Sequence, residues 1–420
     1  MRQLPGTFPL LSALTALFFV CAALAPAQTD EERRREALKS LPYVAWTEKE
    51  VDEAEHGVTV HDSLRAWDGY TLCVDKTRAA IVDMEGEVVH SWDNPASARL
   101  QHVRLTEGGH AYMGVSRKGV FELDRDGETV WSCEALVHHD FEIDADGDVL
   151  AIVYDEVVIP EFGDSPVLSD KIARLERNGS VTDVWRLHEH RDDLRRWCDQ
   201  IGGDGTSEDS SVYDWSHMNT LEIIGEPGEI RFSTDLESVG RAADVGSATA
   251  GHGAAGSGNR HPAFRPGRVL ICLRNLDFIG VVDLGSGDIV WGWGPGEVDH
   301  PHQPTLLPNG NILLFDNGYF RGWSRVIEYD PVADEIVWEY KEDDPYDFFS
   351  RGRGACQKLP NGNVLVTESA EGRVFEIAPE GDVVWSFLNP SRKGDRRGTF
   401  YRAFRYDRGA VDEALATRGQ

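Results

Sequence analysis

The sequence predicts an all-β protein, a six-bladed β-propeller closed by pairing of its C-terminal strand with the strands of its N-terminal blade. Three observations predict it. A short phrase ending in tryptophan recurs six times. A turn followed by an apolar strand recurs between those copies. The first repeat is one strand short, and a lone strand-like run stands at the chain's end.

The tryptophan phrase runs as GEVVHSW (Gly86–Trp92), GETVW (Gly127–Trp131), GSVTDVW (Gly179–Trp185), GDIVWGW (Gly287–Trp293), DEIVW (Asp334–Trp338) and GDVVW (Gly381–Trp385). In the five copies that have a glycine, a tryptophan follows it by four or six residues. Both spacings fall on one face of a strand, because strand side chains alternate. The second phrase runs as DADGDVLAIV (Asp144–Val153), LPNGNILLF (Leu307–Phe315) and LPNGNVLV (Leu359–Val366), with weaker copies at Thr106–Met113 and Gly225–Phe232. Its Asn-Gly and Asp-Gly pairs are hairpin turns. A third strand-like phrase (FELDRDG, ARLERNG, VVDLGSG, VIEYDP, FEIAPEG) precedes the tryptophan strands. Each unit therefore holds four strands, as a propeller blade requires, and no helical period accompanies the repeat. The first tryptophan strand has only GYTLCV (Gly69–Val74) and AAIVDM (Ala79–Met84) before it. TFYRAFRY (Thr399–Tyr406) is expected to complete that blade and remove the open sheet edge.

The domain plan is a signal peptide over 1–27, an N-terminal extension over 28–65, the propeller over 66–408 and a tail over 409–420. Arg2, the apolar run Pro9–Leu24 and the Ala25–Ala27 cleavage pattern make the export signal. The mature chain is then expected in the periplasm or secreted, with no membrane span. The Gly-, Ala- and Ser-rich stretch 233–266 interrupts one blade and reads as a flexible surface insertion. A formal net charge of −30, dispersed along the chain, argues against nucleic acid and anionic membrane as partners. It also means that any anionic substrate needs a local cationic site. Cys73, Cys133, Cys198, Cys272 and Cys356 remain after cleavage, with no C-x-x-C spacing, so neither a disulfide framework nor a zinc ribbon can be argued. The acidic run Asp144–Asp148 has its glycine in the wrong place for a calcium loop and is the hairpin turn instead.

Three histidines share a register. His139, His217 and His302 each lie eight residues before a turn glycine: Gly147, Gly225 and Gly310. The first strand of a blade is the innermost, so all three are expected at one height around the central channel. Gly354 occupies this register in the following repeat, and His102 stands one residue out of step. His138 and His300, on the opposite strand face, read as structural, as do the histidines outside the channel strands. A histidine cluster can bind metal, bind an anion or do covalent chemistry. Arg274, in the strands that continue the His217 blade, repels a cation and attracts a sulfate or phosphate. Spacing alone leaves a surface ion pair open for it.

DWSHMNTLEI (Asp214–Ile223), LRNLD (Leu273–Asp277), HQPTLLPNGNILLFDNG (His302–Gly318) and GNVLVTES (Gly362–Ser369) resemble the bacterial arylsulfate sulfotransferases that need no nucleotide sulfate donor. The opening GVTVHDSLRAWDGYTL (Gly57–Leu72) is similar to smaller members, and the resemblance runs from about Gly57 to Tyr406. It implies a six-bladed propeller with a channel site of three histidines and an arginine. His302 would be the transiently sulfurylated nucleophile, flanked by His139 and His217. Arg274 would hold the sulfuryl oxygens, and Asn219, from the H-x-N motif, would bind substrate. The substrates implied are an aryl sulfate donor and a phenolic acceptor in a ping-pong transfer, with no metal and no cofactor. The chain lacks the β-sandwich domain and the short-range cysteine pair of larger members, and its motifs do not set an oligomeric state. The alternatives are a non-catalytic anion- or protein-binding propeller, or a metal-dependent hydrolase or lyase, against which Arg274 argues.

Overall fold

A computed structural model describes Thr47 and residues 55–144, 147–199, 201–202, 212–225 and 260–416. The signal segment 1–27, nearly all of 28–54 and residues 233–259 of the insertion lie outside the described residues. Six antiparallel sheets form the blades of a six-bladed propeller. Blade 1 joins Arg402–Tyr406 to Tyr70–Val74, Arg78–Val82 and Val88–Asp93, so both chain ends share one sheet as expected. Blades 2 to 6 open with Leu100–Leu105, Val137–Ile143, Met218–Ile223, His302–Leu306 and Ala355–Lys358 respectively. These opening strands touch their neighbours around a common axis. They are buried along most of their length, whereas outer strands such as Thr129–Cys133 are mostly exposed. That gradient is what radial stacking of twisted four-stranded sheets produces.

Six apolar clusters fill the six clefts between neighbouring blades. The recurrent tryptophans fasten the clefts. Trp92 Nε1 donates to Asp124 O (2.9 Å), Trp131 to Arg177 O (3.1 Å), Trp185 to Gly287 O (2.9 Å) and Trp338 to Pro379 O (3.3 Å). Trp385 donates to Met84 O (2.9 Å) and so ties blade 6 to blade 1. In each case the indole spans a cleft and reaches the turn before the tryptophan strand of the next blade. One side chain thus combines large apolar burial with a satisfied polar tip.

The closing strand is held from both sides. Beyond its pairing with Tyr70–Val74, Arg405 exchanges backbone bonds with the Gln357 amide of blade 6 (2.7 and 2.9 Å), and its guanidinium meets the buried Glu376 carboxylate. Three features lie outside the predicted plan. Gly57–His61, inside the predicted N-terminal extension, adds a fifth strand to the outer edge of blade 6 by pairing with Val383–Leu388. The helix Arg408–Ala416 packs Val411 and Ala414 into the cleft between blades 1 and 2. The second strand of blade 4 is Val269–Leu273, which takes the place expected for the weak copy at Gly225–Phe232. The backbone of Ile224 closes onto Arg268 and Gly267 there, so the insertion replaces the hairpin turn. Residues 226–232 of that weak copy lie outside the described residues. No disulfide forms among the described residues, and all five of their cysteines are buried.

Candidate active site

The site forms where the inner strands begin. In blades 2 to 5 the pairing of the first two strands slips at this level: between Leu100 and His102, opposite Ala151 to Val153, between Met218 and Thr220, and between His302 and Thr305. Such bulges bend a strand and re-aim its side chains. His139 (φ 58°) and His217 (φ 53°) adopt the left-handed region at these bulges, as do His300 (φ 57°) and Gln303 (φ 47°) beside His302. Conformations of this kind cost roughly 1–3 kcal/mol each and persist where the surroundings enforce them.

The structure brings His139 and His217 into direct contact, Nε2 to Nε2 at 2.9 Å. Their far nitrogens are also engaged. His217 Nδ1 lies 2.6 Å from Asp214 Oδ2, and Asp214 Oδ1 accepts the His217 backbone N–H at 3.1 Å. His139 Nδ1 meets the Tyr401 hydroxyl. A carboxylate only accepts, so His217 Nδ1 carries the hydrogen and, in the neutral ring, its Nε2 accepts. His139 Nε2 then donates to it, and His139 Nδ1 accepts from Tyr401. One carboxylate therefore fixes the direction of a four-member chain: Tyr401, His139, His217, Asp214.

His302 is oriented by different means. The Asn317 amide donates through Nδ2 to Ser350 O (2.6 Å) and Arg353 O (3.0 Å), which turns its Oδ1 toward His302 Nδ1 at 2.7 Å. The second neighbour of His302 Nδ1 is the His300 carbonyl at 3.2 Å. Two acceptors at Nδ1 place the hydrogen there and leave the lone pair on Nε2. That Nε2 is buried and has no hydrogen-bond partner among the described residues.

Arg274 is 1% exposed, so the surface ion pair left open by its spacing is not what the fold makes of it. Its backbone N–H donates to His217 O (3.1 Å) and its Nη1 to Asn275 Oδ1 (2.6 Å). Asn275 in turn donates to Asp214 O (2.7 Å), locking the guanidinium to the loop that carries His217. A second buried guanidinium stands nearby. Arg402 donates to Asn219 O (2.8 Å) and sits 3.1 Å from Asp140 Oδ2. Burial, followed by the charge of Arg274, holds His302 well below the ordinary imidazole range. Burial, then the neighbouring His217, does the same for His139. His102 lies 3.4 Å from Asp140, and burial depresses it too. Neutral imidazoles beside fixed guanidinium charge suit an anion rather than a metal cation.

Asn219 has a positioning role in this geometry. Its amide donates to Pro301 O (2.9 Å) and its Oδ1 accepts from the Thr220 hydroxyl (3.1 Å), tying the His217 strand to the residue before His302. His138 stacks on Tyr154 and lies 2.9 Å from Asp170, whose other oxygen accepts from Met218 N at 2.8 Å. Gly354 leaves the space that the Phe315 ring occupies.

Sequence reasoning missed Asp214, Asn317, Tyr401 and Arg402. Asp214 and Asn317 lie inside motifs already singled out, three residues before His217 and in the FDNG phrase. Tyr401 and Arg402 lie outside those motifs. Gly409 stands eight residues after Tyr401, but it lies in the terminal helix Arg408–Ala416 rather than in a hairpin turn, so the register did not mark this strand as a channel strand.

Fold and site together describe a six-bladed propeller with a buried cluster of imidazoles and guanidinium groups where its inner strands begin. The sequence comparison agrees. The chain belongs to the arylsulfotransferase (ASST) family, whose sequence model matches residues 102–390. Membership supports sulfotransferase activity in general and small-molecule substrates. No curated protein matches the chain in sequence. Among solved structures it is similar to a protein of unknown function from Bacteroides caccae, at 13% identity over 80% of this chain and 98% of that one, with a TM-score of 0.48. It is also similar to a virginiamycin B lyase from Staphylococcus aureus (13% identity, 70% of each chain, TM-score 0.38) and to a streptogramin B lyase (10%, 83% and 88%, TM-score 0.43).

Proposed function

We propose that the protein moves a sulfuryl group from an aryl sulfate to a phenol in two steps through a sulfohistidine at His302. The observation that carries this reading is the committed Nδ1 of His302, which leaves a buried, unprotonated Nε2 beside Arg274. In the first step the Nε2 lone pair forms an N–S bond while the S–O(aryl) bond breaks, and its electron pair leaves with the phenolate. The Nδ1–H bond to Asn317 stabilises the positive charge that the ring acquires. Arg274 faces the sulfuryl oxygens, where a fork of donors is most effective on a delocalised anion. An anionic donor raises the proton affinity of the His139–His217 pair, so the pair takes up a proton as the donor binds. It gives that proton to the departing oxygen and recovers it from the acceptor phenol in the second step. Phenols leave readily as anions, which accounts for an aryl donor. In this scheme the donor brings its own activated group, and metal and nucleotide have no part.

The test is release of p-nitrophenol from p-nitrophenyl sulfate with and without added phenol, run beside His302→Ala. Release that needs phenol and vanishes in the variant supports the reading, as does a sulfuryl mass increment on the peptide containing His302. Release independent of phenol points to a sulfatase, and no release from the folded protein with several aryl sulfates points to a binding propeller. We further propose, from the export signal read at 1–27, that the mature chain works in the periplasm or outside the cell. Among the described residues, no helix is long and apolar enough to cross a membrane.

A further inference from the structure

The left-handed backbone at His139 and His217 has to be enforced by its surroundings, and one buried carboxylate outside the cluster touches the neighbours of both. Asp170 belongs to Val167–Leu175, the third strand of blade 3, where it pairs with Tyr154. It is fully buried. Its Oδ2 accepts from the Ser216 hydroxyl and from Met218 N (2.8 Å), the residues on either side of His217. Its Oδ1 lies 2.9 Å from Nε2 of His138, the residue before His139.

The remaining bonds around His217 come from the Asp214 and Arg274 loops. Asp214 Oδ1 accepts His217 N, Asn275 N donates to Ser216 O and Arg274 N to His217 O (3.1 Å each). The Ser216 hydroxyl and Met218 N fall to Asp170. His138, in turn, stacks on Tyr154 at 3.8 Å, and its ring centroid lies 5.1 Å from that of His139. One carboxylate thus backs both members of a pair whose Nε2 atoms meet at 2.9 Å. The two rings stand on different blades, and a drift of about 0.5 Å takes their contact out of the hydrogen-bond range. Asp170 is more than a fastener of that cleft. Trp185 already bridges it through Gly287 O, and a buried carboxylate carries a desolvation cost that an apolar contact avoids.

We propose that Asp170 is a positioning residue for sulfuryl transfer: it holds the His139–His217 pair at hydrogen-bonding distance, so that the pair's proton reaches the departing phenolic oxygen. The proposal deepens the sulfotransferase reading and rests on it for the reaction, while the geometry of the pair is open to a separate measurement.

The test compares phenyl sulfate with p-nitrophenyl sulfate as donors to 1-naphthol, with kcat/KM for the donor as the measure. In a two-step exchange that constant reports the first step alone. p-Nitrophenolate is a weak base and leaves unaided, whereas the more basic phenolate needs the proton. In Asp170→Ala, which releases Ser216 and Met218, the fall for phenyl sulfate is expected to exceed that for p-nitrophenyl sulfate about tenfold. Ser216→Ala removes one bond and little volume; it should move the ratio the same way by about threefold, and it carries the test if Asp170→Ala does not fold. Asp170→Asn keeps an oxygen for both donors and should restore most of the ratio. A packing defect slows both donors alike, so equal falls in the folded variants overturn the proposal. Imidazole NMR reads the pair without turnover: the His139 Nε2–H resonance is expected downfield in the unmodified protein and further upfield in Asp170→Ala and Ser216→Ala. If no donor transfers but the resonance moves, the positioning assignment stands and the transferase reading falls. If transfer occurs and neither the donor ratio nor the resonance moves, the positioning assignment falls and the transferase reading stands.

Discussion

Replacing Asp214 by Asn tests the proton chain most directly. Asp214 Oδ1 accepts the His217 backbone N–H, a donor that cannot move, so in Asp214→Asn the amide oxygen stays there. The amide nitrogen then faces His217 Nδ1, where the carboxylate oxygen lay at 2.6 Å. A donor at that point pushes the His217 hydrogen to Nε2, against the hydrogen on His139 Nε2 only 2.9 Å away. The pair can recover only by reversing His139 as well, which turns a hydrogen toward the Tyr401 oxygen. The substitution is nearly isosteric, so packing is preserved while every hydrogen in the chain changes sides. Loss of one hydrogen bond to a charged group is worth roughly 1.5–3 kcal/mol, which is about a ten- to 150-fold fall in kcat/KM for sulfuryl transfer. Steady-state transfer from p-nitrophenyl sulfate to phenol measures the fall, with thermal unfolding as the check on folding. Imidazole nitrogen NMR should show the His217 hydrogen on Nδ1 in the unmodified protein and on Nε2 in the variant. A folded variant within twofold of the unmodified kcat/KM, or a native His217 with its hydrogen on Nε2, would refute the reasoning.

Three further outcomes are expected. The acid limb of kcat/KM should lie below pH 6.5, because burial and then Arg274 depress His302. In Arg274→Gln that limb should move upward, which a pH–rate profile of both proteins measures. Burial pushes the Glu222 carboxyl up to about 8 from an ordinary 4.5, so the folded chain holds a proton there that the unfolded chain has lost. Stability from this group is thus present below pH 4.5 and lost as pH rises toward 8, and Glu222→Gln should gain on the unmodified protein in urea midpoints as pH is raised from 5 to 8. Trp385→Phe removes the bond to Met84 O and leaves a void between blades 6 and 1, with an expected loss of about 2–4 kcal/mol in urea unfolding; Trp338→Phe, on a half-exposed indole, should cost less.

Most of the fold was legible because a propeller repeats its own punctuation. Trp92, Trp131, Trp185, Trp338 and Trp385 announced the outer strands, and the structure shows the bonds they make across clefts. Turn glycines set the register that placed His139, His217 and His302 on inner strands. What could not be read were contacts between parts of the chain remote in sequence. Asn317 orients His302 only because Ser350 O and Arg353 O hold its amide, and no spacing encodes that. Arg402 reaches the site through ring closure, at a strand followed by the helix Arg408–Ala416 rather than by a hairpin turn. Gly57–His61 was equally silent: its five residues resemble any exposed edge strand until blade 6 is present to receive them.

Because Arg402–Tyr406 completes the first blade, the histidine cluster draws two of its neighbours from the strand that closes the ring. Tyr401 closes the hydrogen-bonded chain at His139, and Arg402 supplies the second guanidinium. A polypeptide interrupted before residue 401 could build blades 2 to 6 and still lack both groups. The sheet seam therefore couples ring closure to the histidine cluster: both groups arrive only when Arg402–Tyr406 pairs with Tyr70–Val74. The same arrangement makes closure a contact of high sequence separation, since Tyr70 must find Tyr406 across the other five blades.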